Sequence, residues 1–249
     1  MCKLITIHKK IGENKQISSI IKLQLNAMQT EQNGAACLAV NADGRAETLR
    51  SFNYDNVFNF ALKKIPSSVI IGLHTRTATQ GIINKSNIHY FANPDKSRWM
   101  AHNGVIMTHN VISSPRYWFN DPLVISPSAS KNNIGFYSPA IRKKSDSREF
   151  FDDLPKKLSV DSITTLLAKR QFWGFAHIYD EPTKKSYYII KKDIKLITNP
   201  SYTILSSFSL TLKKHKTVYA LSVIPYSVSL KQKIKVHKIN EGIYCIDLN

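Results

Sequence analysis

Apolar and polar positions alternate with two rhythms along the 249-residue chain. Residues 2–8 read as a strand that begins almost at the first residue. Residues 18–31 follow a helical rhythm, with Ile20, Ile21, Leu23, Leu25 and Met28 near one face and Asn33-Gly34 closing the segment. Residues 35–40 are a strand of small residues, turned at Asn41-Ala42-Asp43-Gly44 toward a hairpin partner over 47–52. Residues 54–64 read as a helix with Val57, Phe58 and Ala61 inward, closed by Pro66. Residues 68–73 are almost wholly apolar, as a buried strand is.

The stretch 105–145 breaks the rhythm. It is rich in Ser, Asn and Pro and long for a connection in a compact domain, so it reads as an insertion with structure of its own. Helices are expected over 147–154 and 160–170, the second capped by Asp161 or Ser162. Strands dominate afterwards, over 172–179, 186–192, 203–208, 217–224, 233–238 and 243–247, with turn signals at Asp180-Glu181-Pro182 and Asn199-Pro200. Helices and strands arrive in blocks, which favours an α+β layered fold over a βαβ repeat. No linker divides the chain, so residues 1–249 are expected to form a single domain.

Composition narrows the classes. An apolar content of 43% supports a substantial core and argues against global disorder. No apolar run approaches the roughly 20 residues of a membrane-spanning helix, and the N-terminal apolar stretch is too short for a secretory signal. A cytoplasmic protein is the expectation. Three cysteines, Cys2, Cys37 and Cys245, form no CxxC pair, so neither a disulfide framework nor a zinc site is supported. No metal and no cofactor is expected. The net charge of +18 is compatible with a polyanion partner. The basic residues are nevertheless spread over the whole length, without the interleaved aromatics of a nucleic-acid platform.

Candidate chemistry gathers in four places. Cys2 would carry a thiol and a free α-amine on one residue once Met1 is removed. An amine with a pKa near 8 is a suitable base for a thiol at neutral pH. His74-Thr75-Arg76-Thr77-Ala78-Thr79-Gln80-Gly81 follows the buried strand, and Arg76 is suited to a bidentate pair with a carboxylate. Asn103-Gly104 offers a side-chain amide and an approachable backbone N–H, the donors an oxyanion needs. The same pair is also an ordinary turn signal. Asp146, in Ser145-Asp146-Ser147-Arg148-Glu149, could accept from an ammonium group or cap a helix.

Taken in order, Cys2, HTRTATQG, HNG and SDSRE resemble the class II, N-terminal-cysteine glutamine amidotransferase domain. Gln32-Asn33-Gly34-Ala35-Ala36, Asn87-Ile88-His89-Tyr90 and the 241–247 segment are similar to further parts of that family. The resemblance implies a four-layer αββα sandwich of N-terminal-nucleophile hydrolase type, with two antiparallel sheets between helix layers. It implies that Cys2 attacks the glutamine side-chain amide to form a γ-glutamyl thioester. Asn103 and Gly104 would then form the oxyanion hole, Arg76 would hold the α-carboxylate, Asp146 the α-amine, and Thr79 would line the pocket. Three features depart from the family pattern: Thr77 where an aromatic is usual, Lys191-Lys192-Asp193 where Arg-Asp-Pro is usual, and the long 105–145 connection.

The resemblance covers essentially the whole chain and leaves no stretch for an attached synthase domain. The expectation is therefore a glutaminase that passes ammonia to a separate synthetase partner. The alternatives are an N-terminal-nucleophile hydrolase of another γ-glutamyl or small amide, and a non-catalytic basic module that binds nucleic acid.

Overall fold

The computed structural model describes residues 3–9, 33–76, 82–108, 144–191, 194–198, 202–206, 235–239 and 242–248. Cys2, Thr79, the helix expected over 18–31, the strand expected over 217–224 and residues 109–143 lie outside the described residues.

The described strands form two antiparallel sheets. The first holds β1 (Lys3–Lys9), β2 (Ala35–Asn41), β3 (Ala46–Ser51), β4 (Ser68–Thr75), β9 (Ile194–Thr198), β10 (Tyr202–Ser206) and β11 (Lys235–Ile239), in the order β11-β9-β10-β1-β4-β2-β3. The second holds β5 (Phe91–Ala92), β6 (Arg98–Thr108), β7 (Arg170–Asp180), β8 (Lys185–Lys191) and β12 (Gly242–Asp247), in the order β12-β8-β7-β6-β5. Helix α1 (Tyr54–Lys64) packs on β2 and β3, α2 (Asp146–Asp152) on β6, and α3 (Val160–Leu167) on β7 and β12. The architecture is thus α+β with two sheets sandwiched between helices, as expected.

Strand periodicity explains the layering, since alternate side chains point to opposite faces. Leu4, Ala36, Leu38, Val40 and Ile70 of the first sheet meet Trp99, Ala101, Phe175, Tyr179, Tyr188 and Ile190 of the second in one buried core. The complementary face of the second sheet, with Met100, Ile106, Ala176, Ile178 and Ile189, buries Phe150, Phe151 and Ile163 of the helices. Each Leu, Ile, Val, Phe or Met among them contributes about 1.5–3 kcal/mol when fully buried.

Local chemistry fixes the helix boundaries. Asn53 caps α1 by accepting from the Asp55 and Asn56 N–H groups, with Asp55 in the first turn and Lys63 and Lys64 in the last, matching the helix dipole. Ser159 caps α3 in a reciprocal box with Ser162, so the cap precedes the Asp161 or Ser162 expected from sequence. That helix also ends at Leu167, and Arg170 already belongs to β7. β6 runs unbroken through Asn103-Gly104 to Thr108, and so enters the stretch 105–145 that reads as an insertion.

Candidate active site

β4 extends past the apolar run to Thr75, so His74 and Thr75 are strand residues and Arg76 stands at the strand's end. The Arg76 backbone is tied on both sides to the entry of β2. Its N–H donates to Gly34 O at 2.8 Å, and its carbonyl accepts from Asn33 N–H at 3.2 Å. The Arg76 side chain is buried, and its Nη1 donates to Ile82 O at 3.4 Å. On the other flank of β4, Thr75 pairs with Lys3 of β1. β1 begins at Lys3, directly after Cys2 in the sequence. The start of β1 and Arg76 therefore share one end of the first sheet.

The second sheet meets this end through β6. Across the ladder Gly104 pairs with Gly174 of β7. Both glycines have positive φ, +156° and +135°. A Cβ on Gly104 would lie 2.0 Å from Trp173 O, and one on Gly174 would lie 2.3 Å from Asn103 O. The two backbones therefore touch where a side chain on either strand would separate them. Gly174 goes unmarked in a reading by motif. Its signal was a glycine in mid-strand, and its partner is visible only in the fold.

Beyond Met100 the short strand β5 has ended, and side chains complete the edge of β6 instead. His102 N–H donates to His89 Nδ1 at 3.2 Å, and His102 O accepts from His74 Nε2 at 3.1 Å. Ile106 N–H donates to Asp146 Oδ2 at 2.8 Å. An antiparallel ladder directs alternate residues to the same edge. Gly104 lies between His102 and Ile106, so its N–H is directed to that edge as well. Asn103, buried, precedes it in the strand.

The histidine protonation pattern follows from these contacts. His89 Nδ1 accepts from the His102 N–H, so it carries a lone pair. His74 Nε2 lies 3.1 Å from both His102 O and His89 Nδ1, and so carries the hydrogen that both acceptors share. Each imidazole is neutral, and a proton on His89 Nδ1 would break both of its contacts. Burial pushes His74 down to about 3, with smaller contributions from His102 and Arg76, and holds His89 well below the usual range.

Asp146 is the first residue of α2 rather than its cap. Ser145 caps that helix by accepting from Arg148 N–H. Asp146 Oδ1 accepts from its neighbour Ser147, by N–H at 2.8 Å and by hydroxyl at 3.3 Å, and the Ser147 hydroxyl lies 2.9 Å from His102 Nδ1. Burial raises the Asp146 pKa, opposed by the hydrogen bonds from Ile106 and Ser147. A buried carboxylate in this setting favours a cationic ligand group.

Arg76, Asn103, Gly104 and Asp146 are thus gathered around the meeting of β4 and β6. A cavity of about 810 Å³ lies elsewhere, lined by residues such as Asn93, Ser97, Arg98 and Asp180. Arg98 is consumed there by Asp180 Oδ1 at 2.8 Å and by the Pro155 and Lys156 carbonyls, a structural clamp. Among the described residues no group of three His, Cys, Asp or Glu is placed to hold a metal ion, and no helix is long and apolar enough to cross a membrane.

The same sandwich occurs in solved structures. The chain matches glutamine phosphoribosylpyrophosphate amidotransferase from B. subtilis, complexed with ADP and GMP, with a TM-score of 0.53 over 83% of this chain and 42% of that one, at 14% identity. This chain shares its fold with that amidotransferase. A structure described as the allosteric regulatory enzyme of purine biosynthesis matches equally, with a TM-score of 0.52, 14% identity and the same coverage of both chains. The chain thus spans less than half the length of these two solved chains. No protein-family model and no curated protein matches the sequence.

Proposed function

We propose that this amidotransferase-like chain hydrolyses L-glutamine to glutamate and ammonia through Cys2. The observation that carries the reading is the shared site around β4 and β6. Arg76 directly follows β4, Asn103 and Gly104 lie on the β6 edge, and Asp146 bonds to that edge, while β1 begins beside Thr75 one residue after Cys2.

In this reading Met1 is removed and the Cys2 α-amine takes the thiol proton. The sulfur attacks the side-chain amide carbon of glutamine. The oxyanion formed is held by the Asn103 side-chain NH₂ and the Gly104 N–H, donors of the kind worth about 10²–10³ in rate. The α-ammonium then protonates the leaving nitrogen, and ammonia departs from a γ-glutamyl thioester. Water, deprotonated by the α-amine, attacks the thioester and frees glutamate and the thiol. Arg76 pairs with the substrate α-carboxylate, Asp146 accepts from the α-ammonium, and Thr79 lines the pocket.

Ammonia released into water becomes ammonium and is lost as a nucleophile. The reading therefore includes a separate synthetase partner that receives it. A pull-down under conditions that retain complexes is expected to recover a synthetase-like protein, and its repeated absence would count against this part.

The site is tested by a diazo-ketone analogue of glutamine. The expected result is one adduct, mapped to an N-terminal Cys2 in protein whose mass shows Met1 gone. Labelling at Cys37 or Cys245 instead, or none at all, would sink the assignment.

A further inference from the structure

We infer that Asn87 is a specificity-determining positioning residue, which sets the span between Arg76 and Asp146. The inference rests on the reading above. An α-amino acid carries its carboxylate and its ammonium on one carbon, so the groups that bind them must be held at a fixed short separation. Arg76 directly follows β4 and Asp146 begins α2, and the two are far apart in the chain.

Asn87 joins them. Its Nδ2 donates to Ile82 O at 3.0 Å, the same carbonyl that accepts from Arg76 Nη1. Its Oδ1 accepts from the Ser145 N–H at 3.1 Å, directly before Asp146. Asp146 continues the chain of bonds to Ile106 on β6, beside Gly104. Asn87 itself is fully buried and is fixed by its N–H, which donates to Asn84 Oδ1 at 3.0 Å. One side chain thus supplies a donor to the arginine's segment and an acceptor to the aspartate's segment. Only an amide of this length offers both, and only one orientation of it satisfies both partners.

Asn87 touches no substrate in this account, so its removal leaves the reacting groups in place. Its loss lets the two binding groups drift apart, and the cost falls on recognition of the α-carbon substituents.

The experiment compares L-glutamine with glutaramate, which has the same amide and carboxylate but no α-amine. The protein is full-length, with Met1 removed, and folding is monitored by a cooperative thermal melt. For Asn87→Ala the expected result is a KM for L-glutamine raised about tenfold, with kcat within about threefold. The preference for L-glutamine over glutaramate narrows by a similar factor. Asn87→Asp keeps the acceptor toward Ser145 but sets a carboxylate against the Ile82 carbonyl. It is expected to give the same direction of change, and it decides the matter should Asn87→Ala fail to fold. Folded variants with unaltered KM and unaltered preference overturn the assignment while leaving the glutaminase reading intact. A wild-type protein that neither hydrolyses nor binds L-glutamine overturns the reading, and the assignment with it.

Discussion

Two buried histidine networks occupy this molecule, and they are built differently. In the first, His74 and His89 bond to the backbone of His102 at the open edge of β6. In the second, between the sheets, side chains bond to side chains. Tyr90 OH pairs with His177 Nδ1 at 3.0 Å, His177 Nε2 with Ser186 Oγ at 3.2 Å, and His8 with Tyr188 OH. The His177 and Tyr188 rings stack at 4.8 Å, and Tyr90 OH sits over Gly72, where a Cβ would come within 2.1 Å. The second network satisfies itself and closes. The first, beyond the contact between His74 and His89, bonds to a strand edge that carries Gly104, and so converts side-chain position into backbone position. Buried polar groups need partners in either case. What those partners belong to separates a network that stabilises from one that also orients a site.

The comparison is broken most severely at Gly104. Gly104→Ala brings a methyl group against Trp173 O, so the two strands must part. Glutamate release is expected to fall by at least about 10²–10³, in line with loss of an oxyanion donor, measured as kcat/KM alongside a thermal melt. A folded variant with full activity would detach the β6 edge from the chemistry. His89→Ala comes next. It leaves the His102 N–H without its acceptor, which costs about 1–3 kcal/mol of stability, and kcat is expected to drop about tenfold as the Asn103-Gly104 segment loosens. His89→Gln, which can offer an acceptor, should recover part of both. In the closed network, Tyr188→Phe is expected to cost about 1 kcal/mol in denaturant unfolding, with kcat/KM unchanged. An effect of Tyr188→Phe on kcat as large as that of His89→Ala would erase the distinction.

Acid sharpens the comparison further. Burial pushes His8 down to about 4 and His74 to about 3, and holds His89 and His177 well below their usual value. The unfolded chain therefore takes up protons first as pH falls. The stability these histidines contribute is complete above the ordinary pKa of 6.5 and is lost through the window down to about 4 for His8 and about 3 for His74. The slope approaches ~1.4 kcal/mol per pH unit for each histidine that titrates. Denaturant unfolding at several pH values checks this, and a flat profile from pH 6.5 to 4 would contradict the buried neutral state.

The layered fold was legible because its strands carry dense apolar runs bounded by Gly, Pro and Asn. Helix α1 was read to its ends, since Tyr54 and Lys64 lie between a capping Asn53 and Pro66. Arg76, Asn103, Gly104 and Asp146 were singled out as candidates through the order of their motifs. β6 was not legible as a strand through Asn103-Gly104, because that pair has turn propensity and its extended state depends on Gly174 across the ladder. Asn87 and His89 were seen only as pieces of a motif. A single polar residue in a loop gives no periodic signal, and their roles exist only once Ser145 and His102 have been brought beside them. Ser145 rather than Asp146 caps α2 because its hydroxyl reaches the Arg148 N–H, which leaves the carboxylate to bind Ile106.

The central claim is that Cys2 hydrolyses the side-chain amide of glutamine. Its most direct test is glutamate release from L-glutamine by purified protein with Met1 removed, run beside Cys2→Ala. The account predicts release by the wild type and its disappearance in the variant, with the melt unchanged. Release that survives Cys2→Ala, or a wild type that binds glutamine and never cleaves it, would contradict the account.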